Sequence, residues 1–272
     1  MNRRRKICLT IAGVDPSGGA GVLADIKTFT AFGCFGMAAV TSLTFQNTMG
    51  VFGAVHSTGS SMRAQLDAVF DDADIDAVKT GMLPSAEVID EVAEVLSSKM
   101  AANLIVDPVV RSTSGYDLID SAALSALVER LFPLALLVTP NIPEAERISG
   151  VAIESFDDIA AAAEMIRSKG AKNVLIKGGH FDGTAGEGTA RDHLFNDAGY
   201  FAFDAPMIDS VSTHGTGCTL SAAIASCTAL GLSLSDAVST AKAFVSEAIR
   251  SAPGIGRGSG PLDHFVKPIL PV

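Results

Sequence analysis

The chain has 272 residues, of which 48% are hydrophobic and 18% are charged, and its formal net charge at pH 7 is −10. A chain of this length and apolar content can bury a substantial core. The acidic balance, without a long basic stripe, argues against nucleic acid as a partner and weakly against an anionic membrane surface. The sequence also holds no apolar run long enough to span a bilayer.

The N-terminus begins with basic residues and continues into an apolar run that ends before Asp15. This run is too short for a secretory signal peptide, so we interpret it as a buried first strand behind a basic tail. The cysteines show neither metal-ligand spacing nor a dense disulfide pattern, which favours a reducing, cytoplasmic location. They are Cys8, Cys34, Cys218 and Cys227.

Short apolar runs alternate with helical patterns along the whole chain. The predicted strands are residues 7–12, 36–45, 52–56, 76–80, 103–106, 135–139 and 173–177. The predicted helices are residues 20–32, 60–72, 85–99, 120–131, 143–149, 155–169, 217–230 and 234–251. Residues 190–204 are predicted to form a β-hairpin around a central Asp-Ala-Gly. The alternation is typical of an α/β fold with a mostly parallel sheet between helices, and we expect one domain spanning residues 1–272.

Polar or glycine-rich residues follow six of the predicted strands. Ligands bind beyond the carboxyl ends of parallel strands, so these residues are predicted to converge on one site. Each of them, taken singly, is also compatible with an ordinary loop. They are Asp15, Gln46, Gly81 with Met82, Asp107, Asn141 with Glu144, and Lys177.

The first glycine-rich loop, residues 19–24, fits the pattern G-x-G-x-x-A. A dinucleotide site also needs an acidic residue at the end of the second strand, and Phe45-Gln46-Asn47 supplies none. The sequence has no G-x-x-x-x-G-K-[ST] motif either. The glycines are therefore predicted to let the backbone approach another kind of ligand. Asp25 follows them on the helix and either faces that ligand or is a solvated helix charge.

The second glycine cluster is His214-Gly-Thr-Gly-Cys218, directly before an apolar helix. Backbone N–H groups of residues 215–218 at a helix N-terminus form an anion site, which phosphoryl transfer requires. Cys218 lies in this first turn, where the pKa of a thiol tends to fall. It can act as a base towards a substrate hydroxyl, or it can simply pack the start of the helix.

A third set of residues is suited to phosphate and a hard cation. Asn141 is a candidate helix cap or ligand contact, and Glu144 can reach Mg²⁺ through water or complement the helix dipole. Lys177 ends an apolar strand, where a lysine is costly to bury unless it meets an anion such as phosphate. Lys242, in the last helix, is either a cofactor contact or a solvated charge.

Several motifs occur in the order found in one enzyme family. They are AGVDPSGGAGVLADIKTF, TSLTFQNT, KTGML, VDPVVRSTSG, LVTPNIPEAE, VLIKGGH, HGTGCTLSAAIA and the tail GRGSGPLDHF. With these motifs the chain resembles the hydroxymethylpyrimidine/phosphomethylpyrimidine kinases of the ribokinase-like superfamily. The cysteine after Gly-Thr-Gly is the most specific feature, because most ribokinase-like kinases resemble this motif with Asp at that position.

The resemblance implies a three-layer α/β/α fold with a central, mostly parallel sheet. It also implies that the protein uses ATP and Mg²⁺ to phosphorylate 4-amino-5-hydroxymethyl-2-methylpyrimidine to its monophosphate and then to its diphosphate, in thiamine biosynthesis. The implied partners are these small molecules and, in a homodimer, a second copy of the chain.

The resemblance assigns roles to individual positions. Gln46 matches the glutamine that hydrogen-bonds the aminopyrimidine, for which an amide is suited because it donates and accepts. Cys218 matches the proposed catalytic residue, and Gly215, Thr216 and Gly217 match the anion hole. The other matches to the pyrimidine pocket are Gly13, Ala20, Asp25, Met82 and Val109. The candidates for ATP are Asn141, Glu144, Lys177 and Lys242, and those for the metal are Glu144 and Asp107.

Three alternatives to this function exist. A pyridoxal or pyridoxine kinase of the same subfamily is the nearest, because a glutamine can also serve a pyridine ring. A catalytically silent ligand-binding module is disfavoured, because Cys218, Glu144, Lys177 and the anion-hole glycines are all present. A dinucleotide-dependent oxidoreductase is disfavoured by the missing acidic residue.

Overall fold

The computed structural model describes residues 4–110, 119–179 and 188–271. The strands are β1 (Ile7–Val14), β2 (Phe35–Asn47), β3 (Gly50–His56), β4 (Ala77–Thr80), β5 (Leu104–Val106), β6 (Leu137–Val138), β7 (Val174–Lys177), β8 (Thr189–Asn196) and β9 (Gly199–Pro206). The helices are α1 (Gly21–Ala31), α2 (Gly59–Asp72), α3 (Ala86–Ser98), α4 (Ser121–Ala126), α5 (Ile142–Ser149), α6 (Phe156–Ser168), α7 (Thr216–Ala229) and α8 (Leu234–Arg250).

These strands form one sheet in the order β3-β2-β1-β4-β5-β6-β7-β8-β9. The neighbouring strands from β2 to β7 pair in parallel. The pairs β2–β3, β7–β8 and β8–β9, at the two ends of the sheet, are antiparallel. The predicted mostly parallel sheet and the predicted hairpin near residues 190–204 are therefore confirmed.

Helices cover both faces of the sheet. Successive side chains of a strand point to opposite faces, so an apolar strand has two apolar faces to bury. Leu9 and Ile11 of β1 belong to a core that includes residues of α2, α3, α5 and α6. Cys8, on the opposite face of the same strand, belongs to a second core with α1, α7 and α8. The three-layer α/β/α arrangement is thus confirmed.

Most predicted elements are present with ends that differ by one or a few residues. The predicted helix 120–131 is divided, because α4 continues into a π-helical turn at Leu127–Leu131 and a 3-10 turn at Phe132–Leu134. Pro133 lies in that last turn and cannot continue a regular helix. Residues 111–115 of the VDPVVRSTSG motif and His180 of VLIKGGH lie outside the described residues.

Helix ends follow local sequence where a cap is present. In α5 the Asn141 side chain accepts from the Glu144 backbone N–H, while the Glu144 carboxylate accepts from the Asn141 N–H, which is a capping box. In contrast, α7 begins after Gly215 with no side-chain cap. In the described part of the chain, no helix has the length and apolar character needed to cross a membrane.

Candidate active site

A cleft lies where the carboxyl ends of the central strands meet the first turn of α7. This is the place where open α/β sheets bind ligands. The structure brings together nearly all of the residues that the sequence predicted for the site. Those lining the cleft are Gly13, Ala20, Gln46, Met82, Asp107, Val109, Asn141, Glu144, Lys177, Gly215, Thr216, Gly217 and Cys218.

Two predicted site residues lie elsewhere. Asp25 is fully buried and does not line the cleft, because its side of α1 faces the sheet, where it accepts hydrogen bonds from Lys79 and Thr10. Lys242 is also buried, and its Nζ lies 2.6 Å from the Asp192 carboxylate. The expectation that Asp25 faces the ligand is therefore wrong, whereas a cofactor contact of Lys242 stays a prediction. Neither residue is a solvated charge.

Asp15 lines the cleft as predicted from the strand ends, and the structure adds Lys79 and His214. Lys79 had a usable signal, because it is a lysine inside the apolar strand β4, just as Lys177 is in β7. His214 also had a signal, because it is the first residue of the second glycine cluster. Neither position could be paired with its partner from sequence alone.

One half of the cleft is a network of hydrogen bonds around Gln46. Its Nε2 lies 3.2 Å from His214 Nε2, and its Oε1 accepts from Thr44 Oγ1. His214 Nε2 in turn lies 2.8 Å from Asp15 Oδ2. Asp15 also accepts from the backbone N–H of Ala20, in the first glycine loop. His214 Nε2 donates to Asp15, so Gln46 Nε2 lies beside it without accepting its proton, and the amide keeps its donors for a ligand.

The charge state of Asp15 fits this role. Burial acts to raise its pKa, but the hydrogen bonds from His214 and Ser17 outweigh burial and lower the pKa below its ordinary value. Asp15 is therefore a carboxylate near neutral pH and holds both the histidine and the loop.

The other half of the cleft contains close pairs of charges. Asp107 Oδ1 lies 2.9 Å from Lys177 Nζ and 3.1 Å from Thr139 Oγ1. Burial acts to raise the pKa of Asp107, yet Lys177 and Lys79 hold that pKa below its ordinary value. Burial acts to lower the pKa of Lys177, yet Asp107 and Glu144 raise it. Asp107 and Lys177 are thus both ionised.

Glu144 behaves differently from Asp107. Burial raises the pKa of its carboxyl to about 7, and Lys177 only partly opposes this effect. Its Oε2 is used by the capping box of α5. Glu144 can therefore exchange its proton for a cation close to neutral pH.

The start of α7 closes the cleft with backbone rather than side chains. Gly215 has a φ of +83°, and a Cβ there would collide with the carbonyl oxygen of Gly19. A Cβ at Gly217 would lie 3.2 Å from Lys177 Nζ. Glycine is thus required at position 215, whereas at position 217 the flexible Lys177 side chain can shift to admit a Cβ. No side chain caps the first turn, and although the Thr216 N–H donates to the Thr213 carbonyl at 3.3 Å, the N–H groups of Gly217 and Cys218 are available to an anion.

Cys218 lies in this first turn and is partly exposed to the cleft. Burial raises the pKa of its thiol, while Lys79 and a hydrogen bond from the Gly21 N–H oppose the rise. The expectation that the helix terminus lowers this pKa is therefore wrong, because desolvation by the surrounding protein is the larger effect. Without substrate, Cys218 is therefore a neutral thiol at neutral pH.

Known proteins match this chain over nearly all of its length, in sequence and in structure. Residues 15–263 match the family described as phosphomethylpyrimidine kinase. The hydroxymethylpyrimidine/phosphomethylpyrimidine kinase of Bacillus subtilis is 44% identical over 257 residues, which is 94% of each chain. The thiamine biosynthesis bifunctional protein of Geobacter sulfurreducens is 48% identical over 98% of this chain, which spans only 54% of that protein.

A solved structure shares the fold. The pyridoxal kinase of Staphylococcus aureus in complex with AMP-PCP and pyridoxal has a TM-score of 0.86 and 34% identity, and the match covers 96% of this chain and 94% of that one.

The fold and the relatives together define a phosphotransferase with a ribokinase-like architecture. Among such enzymes, the chain belongs to the phosphomethylpyrimidine kinase family.

Proposed function

We propose that this protein uses ATP to phosphorylate the hydroxymethyl group of 4-amino-5-hydroxymethyl-2-methylpyrimidine, and then phosphorylates the monophosphate to the diphosphate, in thiamine biosynthesis. The observation that carries the proposal is that Gln46 and Cys218 line one cleft, together with the uncapped start of α7. The names of the relatives described above support the same substrate.

Recognition of the pyrimidine rests on Gln46. Its amide offers an acceptor and two donors, which can pair with a ring nitrogen and the neighbouring amino group. Apolar contact with the ring comes from Met82 and Val109. Gly13 provides room, because a Cβ there would lie 3.0 Å from Met82 Cε.

Phosphoryl transfer takes place at the start of α7. The N–H groups of Gly217 and Cys218 donate to the oxygens of the transferred phosphoryl group, where charge develops, and Lys177 binds a phosphate oxygen of ATP. The Cys218 thiol first loses its proton to solvent, and the resulting thiolate takes the proton of the substrate hydroxyl, so that an S–H bond forms as the O–H bond breaks. The hydroxyl oxygen forms its bond to the γ-phosphorus of ATP while the bond to ADP breaks.

Glu144 and Asp107 are the residues that would hold Mg²⁺. Their carboxylate oxygens are the ligands a hard cation prefers, and a magnesium site commonly uses one or two carboxylates together with phosphate oxygens. A bound cation would neutralise part of the negative charge of the phosphates. Asn141 keeps Glu144 in place through the capping box.

A second candidate function is phosphorylation of pyridoxal. The pyridoxal kinase of Staphylococcus aureus has the same fold, and its complex with pyridoxal and AMP-PCP supports this candidate. The pyrimidine is preferred, because the relative named for it is more similar in sequence, at 44% against 34% identity.

The test offers MgATP with the hydroxymethylpyrimidine and with pyridoxal in parallel, and identifies the products by mass. Diphosphate from the pyrimidine is the expected result. Pyridoxal phosphate as the sole product would contradict the proposal and assign Gln46 to a pyridine ring.

We further propose that residues 1–272 act as one domain in the reducing cytoplasm and associate as a homodimer. The free thiols of all four cysteines support the compartment. An apolar patch on β2 and the edge strand β3 supports association, because Leu43, Phe45 and Val55 are each more than half exposed.

Light scattering of the purified protein tests the dimer. Phe45→Asp is expected to give a monomer, whereas Phe265→Asp, at an exposed position near the C-terminus, is the control. A monomeric wild type would contradict this proposal.

A further inference from the structure

A fully buried ion pair lies directly beside the cleft. Lys79 of β4 and Asp25 of α1 both have side-chain exposures of 0%. Lys79 Nζ lies 2.8 Å from Asp25 Oδ2 and 3.1 Å from Oδ1, and Thr10 Oγ1 donates to the same carboxylate at 2.6 Å. The geometry fixes the ammonium group in a single place.

Stability alone does not explain this pair. Removing two charges from water is costly, and well-packed apolar residues of similar volume are often at least as stabilising as a buried ion pair. The surroundings on this face of the sheet are apolar and include Phe29 of α1 and Leu220 of α7. A buried pair retained beside a reactive group therefore points to an electrostatic role.

The neighbouring reactive group is Cys218. Helix α7 packs against both β4 and α1, so the first turn of α7 lies next to the two elements that carry the pair. Lys79 lines the cleft together with Cys218. Asp25 occupies one side of the ammonium group, and within residues 4–110, 119–179 and 188–271 no other group accepts a hydrogen bond from it. One of its three N–H bonds is thus left for the cleft.

Four charged groups face the thiol from the elements around it. They are Lys79 of β4, Asp25 of α1, Asp107 after β5 and Lys177 of β7. The carboxylates disfavour a negative sulfur and the lysines favour it, and among these charges Lys79 has the largest effect on the thiol pKa.

We infer that Lys79, held in place by Asp25, is a positioning residue for phosphoryl transfer whose ammonium group stabilises negative charge on the Cys218 sulfur. Asp25 thus acts on the reaction through Lys79 and not through the substrate. The inference rests on the proposed role of Cys218 as the group that takes the hydroxyl proton.

The main variant combines Lys79→Met with Asp25→Asn, which removes both charges and leaves neither one buried alone. The matched control combines Lys242→Met with Asp192→Asn, a second buried lysine–aspartate pair, 2.6 Å apart, outside the cleft lining. Circular dichroism and thermal unfolding check that each variant is folded.

The readout is alkylation of Cys218 by iodoacetamide in the full chain without substrates, from pH 6 to pH 10, quantified on the Cys218 peptide by mass spectrometry. Only the thiolate reacts, so the rate reports the thiol pKa. The other three cysteines are buried. The loss of Asp25 opposes the loss of Lys79, which has the larger effect on the thiol pKa. In the cleft variant we therefore expect the alkylation rate at pH 8 to fall about twofold or more, while the control keeps the wild-type profile.

Loosening of the fold would expose the thiol and raise the rate, so a fall has no merely structural explanation. The same variant should lower kcat at least as much and change the KM for the pyrimidine by less than about threefold. An unchanged alkylation profile in the folded variant would overturn the inference, and so would a lower alkylation rate with unchanged kcat. A wild type that phosphorylates no pyrimidine would contradict the proposed function and leave the alkylation result intact.

Discussion

The two halves of the cleft differ in the kind of interaction that they contain. Around Gln46, the contacts are between polar side chains, with Thr44 and His214 on either side of the amide and Asp15 behind His214. Around Lys177, the contacts are between opposite charges in a buried setting. A preformed hydrogen-bond pattern selects a ring, whereas fixed charges act on atoms whose charge changes during reaction. Changes in the first half should therefore alter affinity, and changes in the second half should alter rate.

The largest expected change in rate follows from replacing the Cys218 thiol. Cys218→Ala removes the group that takes the hydroxyl proton, so we expect kcat to fall roughly 100- to 10,000-fold. The affinity for the pyrimidine should remain within about threefold of wild type, because Gln46 is untouched. Turnover and titration calorimetry measure the two quantities. Cys227→Ala, in the core of the same helix, is the control and should keep its turnover. Near-normal turnover of Cys218→Ala would rule out the base role.

The boundary between the halves is tested at Gly215. Alanine there both requires a left-handed backbone and collides with Gly19, so we expect a loss of about 3–5 kcal/mol in the free energy of unfolding. Gly150→Ala has a similar φ, +78° against +83°, with open space around the new Cβ, and should cost about 1 kcal/mol. Urea unfolding measures both. Equal losses would show that the contact with Gly19 is unimportant.

The hydrogen-bonded half is tested by Gln46→Ala. We expect the Kd for the pyrimidine to rise roughly tenfold to a hundredfold, because buried donors and acceptors of the ring lose their partner. The kcat at saturating substrate should change by less than about threefold. Gln65→Ala is a control, since that side chain contacts the backbone of Val40 outside the cleft lining. An unchanged Kd would remove Gln46 from the pyrimidine pocket.

The smallest expected effect is a pH dependence at Glu144. Burial raises the pKa of this carboxyl to about 7 in the folded protein, against an ordinary value of 4.5. Between these values the folded state binds more protons than the unfolded state, so this group destabilises the fold as pH rises. Glu144→Gln should therefore gain about 2 kcal/mol relative to wild type between pH 5 and pH 8.

Urea unfolding at the two pH values measures this gain. The exposed Glu129→Gln is the control and should keep a constant difference from wild type. A pH-independent difference for Glu144→Gln would show that Glu144 titrates alike in the folded and unfolded chain.

The sequence predicts the elements well because their signals are local. Continuous apolar runs mark β1, β5 and β7, and the convergence of strand ends follows from parallel pairing. The same rule predicted that Gln46, Glu144 and Lys177 would meet, and they do line one cleft.

What the sequence could not supply depends on which distant side chains meet. The pairs Asp25–Lys79 and Asp192–Lys242 join residues 54 and 50 positions apart, and no periodic pattern connects them. The pKa of Cys218 was predicted in the wrong direction for the same reason. The helix terminus is a local feature, whereas burial of the thiol is contributed by the rest of the fold.

The contact between Gly19 and Gly215 has a consequence for the order of events in a turnover. Two stretches of backbone, one in the loop beside the ring and one at the N-terminus of α7, touch without an intervening side chain. Neither segment can shift without displacing the other, since backbone has no rotamers with which to absorb the movement. We therefore expect occupancy of one half of the cleft to change affinity in the other, and any such linkage must be reciprocal.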